Sequence, residues 1–415
     1  MASSDLPHGW QAQRITPVGY SDLDHRPGFK MSVKESAGRW YLYLAHFWDS
    51  GLTVLDVTDP SGPVVEAFIP GPENTQTLQV DLCGSLMITS RERFIPGFGG
   101  DPSRPHGEGA VLWSLDDPAR PRELGQFRTG GTGTHRNCYA GGRYAHLAAN
   151  MAGYSGNIYV ILDVSDPGNP VEAGRWWVPG QHVASGETPA KPGVSLHGPA
   201  VPAGDLVYLP YGSAGLVVLD ISEVASPRPV SMLPFSPPFR LEFGVHSVVL
   251  HPERKVAYLN SEGVREPKGT VPSWLEGADH VSVVDISDPA APELLSLFPN
   301  PAPPAGAPYE DFRERPGWSG PHNQSQLHHN ADVAPQGDFV YLTYFNAGLR
   351  VYDVSNSLAP REVAWFLPPD PSRRYGPLPT RELVTQSEDV LVDRRGNIYV
   401  TDKNQGVWIL RADLP

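Results

Sequence analysis

The sequence predicts an all-β chain, closed as a seven-bladed β-propeller whose last blade is completed by an N-terminal strand. Three observations predict it. The 415 residues include 42 glycines and 45 prolines, with only 19% charged residues, a composition rich in turns and unsuited to long helices. One phrase recurs, a β-branched run entering a turn: GLTVLDVTDPSGP, IYVILDVSDPGNP, GLVVLDISEVASP, VSVVDISDPAAP and GLRVYDVSNSLAP. The terminal copy, GVWILRADLP, stops just after its third strand, whereas QAQRITPVGY near the N-terminus reads as the outermost strand of a unit.

Aligned on Asp56, Asp163, Asp220, Asp285 and Asp353, with Ser114 and Arg411 at the Asp position of two degenerate copies, the repeats imply seven units. Within a unit the order is that of HSVVLHPERKVAYLNSEG, HVSVVDISDP and PELLSLFP, which gives four short antiparallel strands, A to D, joined by Gly, Pro, Asp and Asn turns. Such units arranged in a ring leave only short edges. A single domain over residues 1–415 is expected, with blades near 29–70, 75–128, 134–179, 195–236, 245–299, 328–368 and 386–415, and segment 9–20 completing the seventh. The DP-centred phrase resembles the LVIVD-repeat family over nearly the whole chain. That resemblance implies the propeller and leaves function to be argued from the site.

Lys and Arg number 32 against 46 Asp and Glu, a net charge of −14, and no dense basic run is present. A nucleic-acid groove or an anionic membrane surface is therefore not the expected partner. No window approaches the 18 apolar residues of a membrane span, and the polar N-terminal segment lacks the apolar stretch of a secretory signal, so a cytoplasmic location is expected. Cys83 and Cys138 are too few for a disulfide framework and read as buried thiols.

Histidine carries the functional signal. His135 in THRNCY, His197 in LHGPAV, His246 in VHSVVL and His329 in HHNADV each open the innermost strand of a unit. Counted forward to the middle of the second strand, at His146, Tyr208, Tyr258 and Tyr341, each lies 11 or 12 residues away, so the four share a register and face inward together. Four imidazoles around one axis repel when protonated and lack partners when neutral, unless a cation organises them. A divalent metal site follows. An all-imidazole set without thiolate argues against a structural zinc and makes iron(II) the first choice, with zinc, copper and manganese left open.

A metal-bound imidazole donates its other N–H to an acceptor, so carboxylates are expected nearby. Glu388 occupies the matching strand position in the last unit, as an orienting group, a fifth ligand or a general base. Glu262 and Glu92 sit where the loops after the second strands reach the same face, and Glu242 lies just before His246. For Glu92, between Arg91 and Arg93, a solvated ion pair is an equal alternative. Glu388 and Glu262 are the catalytic candidates. His328 is expected to pack on the opposite face of its strand, and His46, His146 and His280 to be structural. His106, His182 and His322 fall in long Gly/Pro-rich insertions, where Trp176, Trp177, Trp274, Tyr309, Phe312 and Trp318 suggest a partly aromatic lid.

By analogy of constellation alone, the set is similar to the carotenoid cleavage oxygenases, seven-bladed propellers that hold iron(II) with four histidines backed by glutamates. The analogy implies a non-haem iron(II) oxygenase that uses dioxygen on a small organic substrate, aromatic or anionic. A metal-dependent lyase, isomerase or hydrolase is the alternative enzyme class, and a non-catalytic binding scaffold is the third reading.

Overall fold

The computed structural model describes residues 6–189, 193–235, 243–264, 266 and 279–415. Its β-branched runs form strands, and helix is confined to single turns such as Pro96–Phe98 and Val183–Ser185. Among the described residues the strands make five four-stranded sheets and one nine-stranded sheet. The first sheet is the meander Gly28–Ser36, Arg39–His46, Gly51–Asp56 and Val64–Pro70. Two meanders can be told apart in the nine-stranded sheet: Val80–Cys83 to Arg122–Phe127, then Gly130–Cys138 to Val171–Trp176. A single backbone pair, Gly133 opposite Glu92, joins them. The remaining meanders run from Val201–Ala203 to Arg228–Leu233, from Phe243–His251 to Glu293–Leu297, from Phe339–Tyr344 to Arg361–Leu367, and from Ser387–Val392 to Gln405–Ala412.

The repeated aspartate has a mechanical role. At the end of each third strand its carboxylate accepts the N–H two residues on: Asp56 from Thr58 at 2.8 Å, Asp163 from Ser165 at 2.9 Å, Asp220 from Ser222 at 2.8 Å, Asp285 from Ser287 at 2.7 Å and Asp353 from Ser355 at 2.9 Å. In the degenerate copy Ser114 Oγ takes the same bond from Asp116 at 3.1 Å. These are Asx turns, which explains why the phrase recurs without implying a binding site.

Apolar layers fill the spaces between successive meanders. Met31, Leu42 and Leu44 of the first sheet pack against Leu391, Tyr399 and Ile409 of the last, which brings the ends of the chain's β-structure together. Closure is tied three further ways. Ile15–Ser21 pairs antiparallel with Gln405–Ala412, Tyr20 opposite Trp408, as expected from the sequence. The preceding strand, Gln11–Gln13, pairs instead with Arg361–Leu367, so the N-terminal segment is shared between two sheets, a division the sequence did not suggest. Lys30 Nζ in the first inner strand lies 2.7 Å from Asp389 Oδ1 in the last, with side chains 3% and 2% exposed, and Asp389 Oδ2 also accepts the Met31 N–H at 3.0 Å.

Removing one partner of a buried ion pair leaves the other charged in a poorly solvating interior. Lys30→Met is therefore expected to lower unfolding stability by about 3–5 kcal/mol in urea titrations at neutral pH. A loss below about 1 kcal/mol would mean that the apolar layer alone holds the closure. A second expectation concerns acid. Burial lowers His46 and His146 to about 4, with His46 Nδ1 held on the Pro27 carbonyl at 2.8 Å and His146 Nδ1 on the Tyr159 hydroxyl at 2.6 Å. Both stay neutral in the fold while the unfolded chain takes up protons below about 6.5. Their contribution is complete above that pH and falls as the solution is acidified toward about 4, by up to about 1.4 kcal/mol per pH unit each. His46→Gln should accordingly lose less stability between pH 7 and pH 5 than the parent protein.

Candidate functional site

The inner strands deliver histidines at one end. His135 lies where the pairing of Gly130–Cys138 shifts register between Thr134 and Arg136, and His246 where Phe243–His251 shifts between Phe243 and Ser247. Such irregularities re-aim a side chain. His197 donates its N–H to the Pro210 carbonyl at 3.0 Å, and His322 donates its own to the Thr343 carbonyl at 2.8 Å, so each continues the inner edge of its sheet. Beside His197, Gly198 has φ +116°, and a Cβ there would stand 2.4 Å from Arg136 Cβ, so only glycine fits.

These four rings form a contiguous row. Centroids are 4.4 Å apart between His135 and His197, 4.1 Å between His197 and His246, and 4.9 Å between His246 and His322. The His135 and His197 Nε2 atoms are 3.1 Å apart. Glu262, at the end of Val256–Glu262, presents its carboxylate to the row at 3.7 Å from His197 Nε2, 3.8 Å from His246 Nε2 and 3.5 Å from His322 Nε2. Those separations are too long for good hydrogen bonds.

The opposite ring nitrogen is anchored in three of the four. His135 Nδ1–H donates to Glu92 Oε2 at 2.7 Å, His322 Nδ1–H donates to the Glu388 carbonyl oxygen at 2.7 Å, and His246 Nδ1 meets Ser247 Oγ at 2.5 Å. A carboxylate and a carbonyl can only accept, so His135 and His322 must carry their Nδ1 protons, and their Nε2 atoms lie on the side of the row. Glu92 is thus an orienting carboxylate. The Gly133–Glu92 backbone pair brings it there, and the pairing of Arg91 with Glu123 at 3.1 Å removes the simple ion-pair alternative.

One expected member is elsewhere. His329 is not in the row: its Nε2 lies 3.0 Å from Asp81 Oδ1, and the fourth ring is His322. The inner segment of this sheet runs through Gln324, bridged to Leu342, and then turns at Leu327, with φ +64°, before His328 and His329 are reached. His322 therefore belongs to the sheet edge and not to an insertion. His328 sets its ring nitrogens against the Ala334 and Ser325 carbonyls, at 2.9 and 3.0 Å, and the neutral ring donates to one of them, in a structural place.

Burial governs the electrostatics. It holds His197, His246 and His322 well below the ordinary histidine range, so the rings are neutral at pH 7. Burial also pushes Glu262 up to about 8, against Arg136 and Lys403, and Glu388 up to about 7, against Lys403. Glu388 meets the row from behind, not on its Nε2 side: Oε1 lies 2.7 Å from Lys403 Nζ, both side chains fully buried, and Oε2 lies 3.3 Å from His322 Nδ1. Arg136, 2% exposed, is attracted by Glu262, Asp389, Glu388 and Glu92. Four carboxylates thus surround three cations, Arg136, Lys30 and Lys403, whose pull on Glu262 and Glu388 is outweighed by the cost of burying those carboxylates.

Beyond His322 lies an aromatic wall. Phe345 stacks on His322 at 4.5 Å, Trp318 meets Phe345 at 5.3 Å and Phe98 at 6.1 Å, and Lys403 Nζ sits 3.6 Å from the centre of the Trp318 ring. Of the residues expected in a lid, Trp318 joins this wall. Trp177 packs on Tyr154 and His182, Trp176 on Tyr211, and Tyr309 on Phe312, each anchoring its own loop. Trp274 and Glu242 lie outside the described residues. His46, His146 and His280 are in buried structural positions, as expected.

The comparisons bear on the fold. The LVIVD repeat model matches residues 38–67, 139–177, 203–231, 278–298 and 329–366. No curated protein matches the chain. Among solved structures, it is similar to the β-propeller domain of Cps50 (Swd1) from Myceliophteria thermophila, at 10% identity and TM-score 0.53, over 92% of this chain and 99% of that one. It is also similar to YCF48 bound to D1 peptide, at 9% identity and TM-score 0.52, over 98% and 99%. A functionally unknown protein from Desulfotomaculum acetoxidans matches at 9% identity and TM-score 0.51, over 81% and 84%. Identities this low speak for the fold alone, and among the described residues no helix is long and apolar enough to cross a membrane. Recurrent aspartate turns, meanders tied end to end and these matches agree: the chain is an all-β propeller carrying LVIVD repeats.

Proposed function

We propose that the chain is a seven-bladed propeller enzyme that binds one divalent metal ion, iron(II) by preference, through His135, His197, His246 and His322, and uses it to add dioxygen to a small apolar or aromatic substrate. The blade count is supported by the apolar layers, seven among the described residues, including one between the last meander and the first.

The observation that carries the metal reading is the row of imidazoles, in which His135, His246 and His322 are held by Nδ1 and in which His197, His246 and Glu262 bring one ligand atom each within 4.8 Å of the others. Two nitrogens about 2.1 Å from one ion at right angles lie about 3.0 Å apart, close to the 3.1 Å between His135 and His197. Glu262, at 3.5–3.8 Å from three Nε2 atoms, fits a co-ligand or an acceptor for a substrate proton. Glu388 is a positioning residue, since its carbonyl fixes the His322 tautomer and Lys403 holds its carboxylate. Iron(II) in such a site supplies dioxygen activation. With both oxygen atoms ending in the product, the substrate itself provides the electrons and no separate reductant is needed. The wall of Phe345, Trp318 and Phe98 gives an apolar flank for an organic substrate.

Anaerobic loading of apoprotein with iron(II), in a Cys138→Ser background, should give one tightly bound equivalent at the histidine row and a half-integer-spin resonance with nitric oxide, a dioxygen surrogate that reports an open coordination position. His246→Ala and His322→Ala should each lose most of that metal and the resonance, whereas His106→Ala should keep both. Retention by the two row variants would overturn the site. Binding of zinc but not iron would transfer the case to non-redox lyase or hydrolase chemistry, and absence of any bound divalent ion would leave a binding scaffold.

A further inference from the structure

A second chemical centre lies farther along the same inner strands. Cys138 ends Gly130–Cys138, three residues beyond His135 and on the order of 10 Å along the strand. There Asp81, Cys138 and His329 come together, with one ligand atom from each within 4.8 Å of the others. Asp81 is fully buried and fixed from behind: its Oδ2 accepts the Tyr139 N–H at 2.8 Å and its Oδ1 the Leu82 N–H at 2.8 Å, while His329 Nε2 stands 3.0 Å from Oδ1.

The cluster opens on a cavity of about 510 Å³ whose wall includes Cys138 and His329 together with Val201, Val248, Leu250 and Gln326. Gln326 is 7% exposed, yet neither its amide nitrogen nor its amide oxygen has a hydrogen-bond partner. A buried amide left open on both sides costs stability unless something in the cavity meets it. Apolar walls with a few convergent polar groups are the usual make-up of a small-molecule site.

We propose that Asp81, Cys138 and His329 form a second divalent-cation site of zinc type, separate from the histidine row, with its fourth position facing the cavity beside Gln326. The donor set argues for this cation. One sulfur, one nitrogen and one oxygen suit a borderline-soft ion, and three protein ligands with one open position are the pattern of catalytic rather than structural zinc. Tetrahedral ligands at ordinary zinc bond lengths lie about 3.4–3.6 Å apart, so side-chain shifts below the size of an atom would seat the ion. On binding, the thiol proton and the Nε2 proton that His329 gives to Asp81 leave to solvent, the ring keeping its Nδ1–H, and no oxidant or reductant is involved.

The experiment titrates apoprotein with cobalt(II), in a Cys83→Ser background that removes the other thiol. Two equivalents should bind, one of them giving the near-ultraviolet thiolate-to-cobalt charge-transfer absorption. Cys138→Ser should abolish that absorption and lose one equivalent, and His329→Gln should weaken the site by 10-fold or more, a variant that leaves the backbone bonds of Asp81 in place. His246→Ala combined with His322→Ala should keep the absorption while losing the other equivalent, so failure of the histidine row and failure of this site are distinguishable. Absence of the charge-transfer absorption, or its persistence in Cys138→Ser, would overturn the proposal.

Discussion

Everything at the axis depends on one constraint: buried imidazoles must stay neutral, and neutral imidazoles packed edge to edge need something to accept their lone pairs. At ring separations of 4.1–4.9 Å, His135, His197, His246 and His322 leave no room for bulk water between them. Protonating one would place a charge against its neighbours and against Arg136. The surrounding side chains are arranged around that fact. Glu92 and the Glu388 carbonyl hold two rings by Nδ1, Lys403 holds Glu388, and Arg136 is enclosed where four carboxylates converge.

Most of the fold could be read from the chain because the repeat is itself a turn mechanism. An aspartate that captures the N–H two residues later works wherever a third strand ends, so five copies keep it and a sixth substitutes Ser114. Apolar alternation around each copy then fixes which face packs on the neighbouring sheet. The N-terminal pairing with Gln405–Ala412 was legible from the missing outer strand. The side step of Gln11–Gln13 onto the adjacent sheet was not, because three residues of mixed burial carry no pattern.

The site was legible to the same extent as its spacing. His135, His197 and His246 sit in sheets where the inner strand is followed closely by the next. In the sheet of His322 the hydrogen bond from residue 322 reaches residue 343, against 197 to 210 in the sheet of His197, so the connection is longer by eight residues and a count from Tyr341 stops at His329. A short polar turn at Leu327 hides that extension. A search for histidine two positions before the bridged Gln324 would have found the fourth ring, but the bridge belongs to the folded chain. The buried charges Lys30, Arg136 and Asp389 were missed for a related reason: each is explained by a partner in another sheet, and a linear sequence does not say which distant residue will face it.

The double attachment of the N-terminal segment makes backbone hydrogen bonds part of the ring's closure. Residues 11–13 and 15–21 are stitched to two neighbouring sheets, and the pair Tyr20 and Trp408 spans almost the full sequence. Parting those two sheets means stripping one of the strands from its partner, so the seam is held by backbone hydrogen bonds as well as by side chains. At the Cys138 end the inner strands meet a roomy cavity with an open amide and a thiol, so a ligand there is held against a ring that backbone bonds keep closed.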